Sequence, residues 1–97
     1  MRVISRKTLR EFWEGHPNAE RSLRAWLTEA ESAVWRSPAD VKRRYRSASI
    51  VSSDRVVFNV GGNRYRLVVV VKFAFGLVCI RFVGTHAEYD RIDATRV

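Results

Sequence analysis

The chain has 97 residues, 46% of them hydrophobic and 11% aromatic, which excludes a disordered chain and suits a single compact domain over residues 1–97. Its 18 Lys and Arg outnumber 10 Asp and Glu, and the net charge of +8 favours an anionic partner such as RNA, DNA, an acidic protein or a membrane surface. The single cysteine, Cys79, excludes an internal disulfide, and no apolar run is long enough to span a membrane, so we expect a cytoplasmic protein.

Helices are predicted in the first half of the chain, where apolar residues recur at helical spacing. The predicted elements are a strand over residues 1–4, a helix over 6–15, a helix from Asn18 to about Trp35 and a short helix from Pro38 to about Arg44. Ser5, Asn18 and Ser37 are the expected caps, and Gly15-His16-Pro17 separates the first two helices. We expect these two helices to form an antiparallel hairpin.

Strands are predicted in the second half, where apolar runs alternate with turn residues. The runs cover residues 47–51, 55–60, 63–73 and 77–83, and a short turn or helix follows them. A strand, then helices, then consecutive strands form an α+β pattern. The fold prediction is therefore a helical hairpin packed on one face of a twisted, mainly antiparallel sheet.

The two longest runs predict which side chains face the helices, because strand residues alternate between faces. The expected core set is Tyr65, Leu67, Val69, Val71, Phe73, Val78, Ile80 and Phe82. The basic residues on the opposite face are then Arg64, Arg66, Lys72 and Arg81. From Val41 to His86 the chain has nine basic residues and one acid, Asp54, so the basic surface belongs to the third helix and the strands.

This basic surface has two interpretations. Charged strand residues are most often a solvated sheet face. Three arginines on one face without an acidic partner favour an anion site instead, because surfaces made for solubility usually mix signs. Arg81 adds to this second interpretation, since it lies within an apolar strand.

A titratable group follows the last strand. His86, Tyr89 and Asp90 lie together after Arg81, and an imidazole has the pKa range needed for acid and base catalysis at neutral pH. Each has an ordinary structural alternative: His86 as a turn cap, Tyr89 as a core aromatic and Asp90 as a cap or ion-pair partner. His16, in the Gly-His-Pro break, is interpreted as a loop residue.

The run Lys42–Arg46 is equally well explained as a solvated helix end, where cations favour the helix dipole, or as a surface that steers RNA. Trp13, Trp26 and Trp35 are interpreted as core residues. No spacing of ligands for zinc or calcium is present, so we expect neither a metal nor a cofactor.

The sequence resembles the HigB-type toxins, which are RelE-like components of type II toxin–antitoxin systems. The resemblance is carried by Ser5–Trp13, Ala39–Lys42, Tyr45–Ile50, Arg55–Asn59, Asn63–Val68 and Arg81–Asp90. Its most specific part is the string Phe-Val-Gly-Thr-His-Ala-Glu-Tyr-Asp at residues 82–90.

The resemblance implies a microbial-ribonuclease fold with messenger RNA bound on the face opposite the helices. It implies mRNA cleavage, often on translating ribosomes, and silencing by a HigA-like helix-turn-helix antitoxin in a hetero-oligomer. The residues at matching positions are Arg64, Arg66, Arg81, His86 and Tyr89, with Asp90 as an orienting group. The lysine-rich central strand of some relatives is reduced here to Lys72.

The hypothesis that follows assigns each residue a role. His86, or Tyr89 in its place, deprotonates a ribose 2′-hydroxyl, while Arg66 and Arg81 stabilise the charge at phosphorus. The expected RNA contacts are Arg64, Lys72, Arg46 and Arg43. Two alternatives stay open: a basic RNA-binding module without catalysis, and a module that docks an acidic protein.

Overall fold

Four α-helices and five β-strands make up the computed structural model, which describes residues 1–97. In chain order they are β1 Arg2–Ile4, α1 Arg6–Gly15, α2 Pro17–Ser32, α3 Pro38–Arg44, β2 Ser49–Ile50, β3 Arg55–Val60, β4 Tyr65–Lys72, β5 Leu77–Thr85 and α4 His86–Tyr89. The α+β prediction is confirmed. None of the helices combines the length and the apolar character that crossing a membrane requires.

The strands form a single five-stranded sheet in the order β1-β5-β4-β3-β2. The pairs β2–β3, β3–β4 and β4–β5 are antiparallel, whereas β1 pairs in parallel with β5. The sheet is thus mainly antiparallel, as predicted. The tight turn between β3 and β4 has positive φ angles at Gly61, Gly62 and Asn63, which is why two glycines and an asparagine occupy it.

The first and third helices begin at Arg6 and Pro38, as predicted, but the side chains of Ser5 and Ser37 make no capping hydrogen bond. Ser5 has a φ of 68°. The predicted start of the second helix is wrong. The second helix begins at Pro17 rather than after an Asn18 cap, because proline fits the first helical position and His16 takes the cap position. It ends at Ser32, so Trp35 lies beyond it in an extended segment.

The main core lies between the sheet and the helices, on what we call the helical face. Its members from the sheet include Leu67, Val69 and Val71, which are fully buried, and Leu9 and Leu23 contribute from α1 and α2. All three tryptophans belong to this core, as predicted. The helical hairpin therefore covers the alternate residues of β4 that the sequence assigned to it.

The opposite side of the sheet, which we call the second face, carries a smaller apolar cluster. Val57, Val68 and Ala94 are buried there, and Phe82 and Tyr89 pack against them. Ala94 belongs to residues 92–97, which we call the C-terminal segment and which lies across this face. The second face is thus partly covered by the chain itself.

Phe82 was expected on the helical face and lies on the second face. The pairing of β4 with β5 shifts register between Val68, which is opposite Phe82, and Val69, which is opposite Ile80. Arg81 is therefore the extra residue of a β-bulge, and the alternation reverses after it. A bulge of this kind depends on the partner strand, which the pattern within one strand does not reveal.

Candidate nucleic-acid site at the end of the sheet

Arg66 is the one charged residue of the chain that is buried, with 8% of its surface exposed. Its Nη1 donates hydrogen bonds to the main-chain oxygens of Asn63, at 2.9 Å, and Tyr65, at 3.2 Å. No carboxylate lies within ion-pair distance. Sequence analysis placed this side chain on an open surface, and the structure corrects this: the residue is largely buried and has no acidic partner.

An arginine in this position is poised for an anion. Burial of an unpaired charge is costly, and a phosphate oxygen would supply the missing partner. The other nitrogens of Arg66 make no hydrogen bond within the protein. They are not fully buried, because Trp26 Nε1 is the one fully buried side-chain polar atom that lacks a hydrogen-bond partner. The guanidinium is therefore held by two main-chain oxygens and still presents free N–H groups outward.

Asn59 and Gly84 flank Arg66, as its register partners on β3 and β5. Gly84 has no room for a side chain: an added Cβ would lie 2.6 Å from Cζ of Phe82 and 3.2 Å from Cβ of Glu88. The Phe82 ring therefore folds over Gly84, beside Arg66. Sequence analysis missed Asn59. Asn59 and Arg66 lie equally far from the centre of the β3–β4 turn, which places them opposite each other.

His86 begins α4 directly after β5, and its Nδ1 lies 3.1 Å from Oδ2 of Asp90. Both side chains are exposed. With Nδ1–H donating to Asp90, the neutral imidazole has a free lone pair on Nε2, which is the arrangement of a general base. The structure thus brings together the predicted base and its predicted orienting acid.

The turn that positions His86 is rigidly capped. The main-chain N–H of Thr85 donates to Oε1 of Glu88 at 2.8 Å, and the N–H of Glu88 donates to Oγ1 of Thr85 at 3.2 Å. This capping box fixes the first turn of α4. The hydrogen bond from Thr85 also holds the pKa of Glu88 below its usual value.

Arg64 and Arg46 lie at the same end of the sheet as His86. The main-chain oxygen of Arg64 accepts a hydrogen bond from the N–H of His86 at 3.2 Å. Arg46 precedes Ser47, whose main-chain oxygen accepts from Nδ2 of Asn59 at 3.1 Å. Both arginine side chains are exposed and make no ion pair, so they extend the positive charge around the buried Arg66.

Arg81 and Tyr89 are engaged with the C-terminal segment instead. Nε of Arg81 donates to the main-chain oxygen of Val97 at 3.2 Å, and Nη1 of Arg55 donates to the same atom. Tyr89 is half-buried in the apolar cluster of the second face. Arg81 precedes Gly84 by three residues, about 10 Å along a strand, so it does not converge with Arg66 on one point.

Lys72 and Arg43 lie away from this end of the sheet. Lys72 ends β4, six residues or about 20 Å from Arg66, and its Nζ pairs with Oδ2 of Asp54 at 3.1 Å. That pairing lowers the pKa of Asp54. Arg43 pairs with Asp40 at 3.0 Å on α3.

His16 is closer to the site than its interpretation as a loop residue suggested. Its ring stacks on Phe12 with centroids 4.1 Å apart and meets the edge of Tyr65 at 6.2 Å. Tyr65 is the register partner of Thr85, and the charge of His16 contributes to the lowered pKa of Glu88. No local pattern in the sequence indicates that His16 packs against Tyr65 or that its charge acts on Glu88 of α4.

The site therefore combines a buried guanidinium without an acid, exposed arginines around it and an imidazole oriented by a carboxylate. No three His, Cys, Asp or Glu side chains lie close enough together to hold a metal ion. These groups can bind a phosphodiester and move a proton beside it. The chain is thus of the class of small, basic α+β domains that group arginines at one end of a sheet.

Comparison with known proteins gives the family. Residues 19–92 match HigB_toxin, the RelE-like toxic component of a toxin-antitoxin system. The chain is 33% identical over 96 residues, 97% of its length, to the mRNA interferase toxin HigB of Escherichia coli strain K12 and to the mRNA interferase HigB of Shigella flexneri. The match covers 92% of each relative. The chain belongs to the HigB toxin family, which confirms the resemblance, and it has an antitoxin as its partner.

Proposed function

We propose that this toxin is an endoribonuclease that cleaves mRNA without a metal ion. The observation that carries the proposal is the buried, acid-free Arg66 at the same end of the sheet as the His86–Asp90 pair. The relatives that share a third of the sequence are named as mRNA interferases, which supports the same reaction for this chain.

In the proposed reaction, Nε2 of His86 takes the proton of a ribose 2′-hydroxyl. The 2′-oxygen forms a bond to phosphorus, the bond to the 5′-oxygen breaks, and the departing 5′-oxygen takes a proton from solvent. Arg66 donates to the non-bridging oxygens, whose negative charge grows in the transition state. Asp90 keeps the imidazole in the tautomer that leaves Nε2 free.

The other basic residues bind the RNA backbone in this proposal. Arg64 and Arg46 are exposed beside Arg66 and attract the phosphates on either side of the cut. Arg81 holds the C-terminal segment and contributes less to the transition state than the sequence indicated. Tyr89 supports α4 through its half-buried ring, and Lys72 and Arg43 contribute only to the long-range field.

The partners follow from the same proposal. The mRNA is cut on translating ribosomes in the cytoplasm, where a lone thiol such as Cys79 stays reduced. The antitoxin is a HigA-like helix-turn-helix protein that forms a stable hetero-oligomer with the toxin. Residues 1–97 act as one domain.

The test is cleavage of a reporter mRNA in a bacterial translation extract. We expect the wild type and Lys7→Gln, a change on the exposed side of α1, to cut at equal rates, and we expect a loss of about 100-fold or more in His86→Ala. Addition of the antitoxin should stop cleavage. Equal cutting by His86→Ala would remove the imidazole from the mechanism, and intact mRNA with arrested translation would favour a non-catalytic RNA-binding module.

A further inference from the structure

The helical hairpin has a small cleft between its two helices, which shares no residue with the site at the end of the sheet. The cleft has a volume of about 150 Å³ and is lined by Arg6, Arg10, Trp13, Arg24 and Leu27. Three guanidinium groups thus surround an aromatic and an aliphatic side chain. The cleft lies on the side of the molecule opposite the second face, so the proposed cleavage reaction does not use it.

Helical spacing explains why these residues meet. Arg6, Arg10 and Trp13 follow i, i+4 and i+7 on α1 and form one stripe. The facing stripe of α2 reads Glu20, Arg24, Leu27 and Glu31. Its two acids lie at the two ends: Glu31 pairs with Arg6 at 3.1 Å, and Glu20 pairs with Arg24 at 2.8 Å.

Arg10 lies between these two ion pairs and has no partner of its own. It makes no ion pair or hydrogen bond, and the residue at the middle of the facing stripe is Leu27 rather than an acid. The three cations of the cleft thus have two anionic partners outside its lining, and the cation without a partner, Arg10, lies between the two ion pairs. Like charges around one cleft repel each other, so the fold or a ligand must hold them there.

The fold keeps at least one of them in place. The guanidinium of Arg24 lies over the buried ring of Trp13, with Cζ 4.7 Å from the ring centroid. Stacking on the ring fixes the orientation of the guanidinium, and its N–H groups point outward within the guanidinium plane. The apolar floor of Trp13 and Leu27 also reduces the screening of charges above it.

We infer that this cleft binds a phosphate group of a folded RNA. Its volume equals that of roughly five water molecules, which admits a tetrahedral phosphate but not a whole nucleotide. Arginine forks match the oxygens of phosphate, and a backbone phosphate offers such an anion without a base. Because the cleft faces away from the cleavage site, the RNA it contacts is a folded one surrounding the toxin, not the strand being cut.

This inference rests on the proposed function, since that function places the toxin on a ribosome. The first experiment uses inorganic phosphate and NMR on the full-length His86→Ala protein. We expect saturable shifts of the Trp13 indole and Arg24 Nε resonances, retained in Arg21→Gln and lost in Arg10→Gln. Arg21 is exposed on α2, does not line the cleft and makes no ion pair, so it is a control of the same charge. Absence of shifts in the parent would overturn the inference.

The second experiment measures binding of the same proteins to purified bacterial ribosomes over a series of salt concentrations. Loss of one phosphate contact should weaken binding about tenfold and lower the slope of log K against log salt by about one in Arg10→Gln and not in Arg21→Gln. Unchanged ribosome binding by Arg10→Gln would overturn the inference. Weakened binding to the antitoxin alone would also overturn it, because the cleft would then hold an acidic protein group.

The two proposals fail separately in these experiments. If the wild type binds ribosomes through Arg10 but cuts no mRNA, the proposed function fails and the cleft stands. If mRNA is cut in the extract while Arg10→Gln binds ribosomes like the parent, the cleft inference fails and the proposed function stands. Arg10 is exposed, so the melting temperature of Arg10→Gln should stay within a few degrees of the parent.

Discussion

The helical face and the second face of the sheet are built from alternate residues of the same strands and differ in what covers them. On the helical face a cluster of 19 buried apolar residues holds the helices to the sheet. On the second face the buried apolar cluster has only three residues, Val57 and Val68 of the sheet and Ala94 of the C-terminal segment that covers them. Arg55, Arg66 and Arg81 donate to main-chain oxygens there. Alternation along β4 thus lets neighbouring residues serve the core on one face and the proposed RNA site on the other.

The largest expected effect comes from a charge on the helical face. Val69 is fully buried there, so Val69→Asp leaves an unpaired carboxylate in the core and costs about 3–5 kcal/mol. That is a large part of the about 5–15 kcal/mol that stabilises a domain of this kind. Thermal denaturation followed by circular dichroism should show loss of the cooperative transition, whereas Val34→Asp, at a residue 71% exposed, should melt normally. A cooperative Val69→Asp protein would contradict the assignment of the two faces.

On the second face, Arg66→Gln tests the buried guanidinium. We expect cleavage to fall by about 100-fold, the scale for losing one transition-state donor. Arg81→Gln should cost less, because Arg81 holds the C-terminal segment rather than the reacting phosphate. The comparison is made by single-turnover cleavage of one RNA by both variants. Equal losses in the two variants would show that Arg81 acts at the phosphate as well.

A smaller effect tests how tightly the end of the sheet is packed. Gly84→Ala forces either Phe82 or α4 to move, and overpacking of this kind costs about 1–3 kcal/mol. Since α4 carries His86, cleavage should fall with stability. Gly15→Ala is the control, because nothing lies within 4 Å of the added Cβ. If Gly84→Ala melts and cuts like Gly15→Ala, the close packing around Arg66 is needed neither for stability nor for cleavage.

The smallest expected effect concerns the capping box of α4. The pKa of Glu88 is lowered in the folded state, so its contribution to stability is present above the unfolded pKa of about 4.3 and is lost as pH falls through the lower folded value. Glu88→Gln should therefore melt slightly below the wild type at neutral pH, and the difference should disappear as the pH falls through the lower folded value. A difference that persists unchanged in acid would show that the carboxylate charge is not what stabilises the turn.

Much of this architecture is readable in the sequence because its signals are local. The period of the apolar residues predicts α1, and alternation predicts which residues of β4 face the helices. The string Thr85–Asp90 indicates the imidazole and its carboxylate, and the structure places them in contact. These features depend on residues within one element or one turn.

The rest depends on contacts between distant parts of the chain. The bulge at Arg81 arises in the pairing of two strands, so it moves Phe82 to the other face without a signal in either strand. The burial of Arg66 depends on the packing around it. The hydrogen bond of Arg81 depends on Val97, which lies 16 residues further along the chain. The approach of His16 to α4 likewise joins residues at opposite ends of the sequence.

The central claim is that the arginines and the imidazole act on the substrate's own 2′-hydroxyl. The most direct measurement is cleavage of an mRNA that carries one 2′-deoxy substitution at the cut site, with mapping of both new ends. The account predicts no cut at the deoxy position. In the unsubstituted RNA it predicts a 2′,3′-cyclic phosphate or 3′-phosphate upstream and a 5′-hydroxyl downstream. Efficient cutting at the deoxy position, or a 5′-phosphate on the downstream fragment, would contradict it.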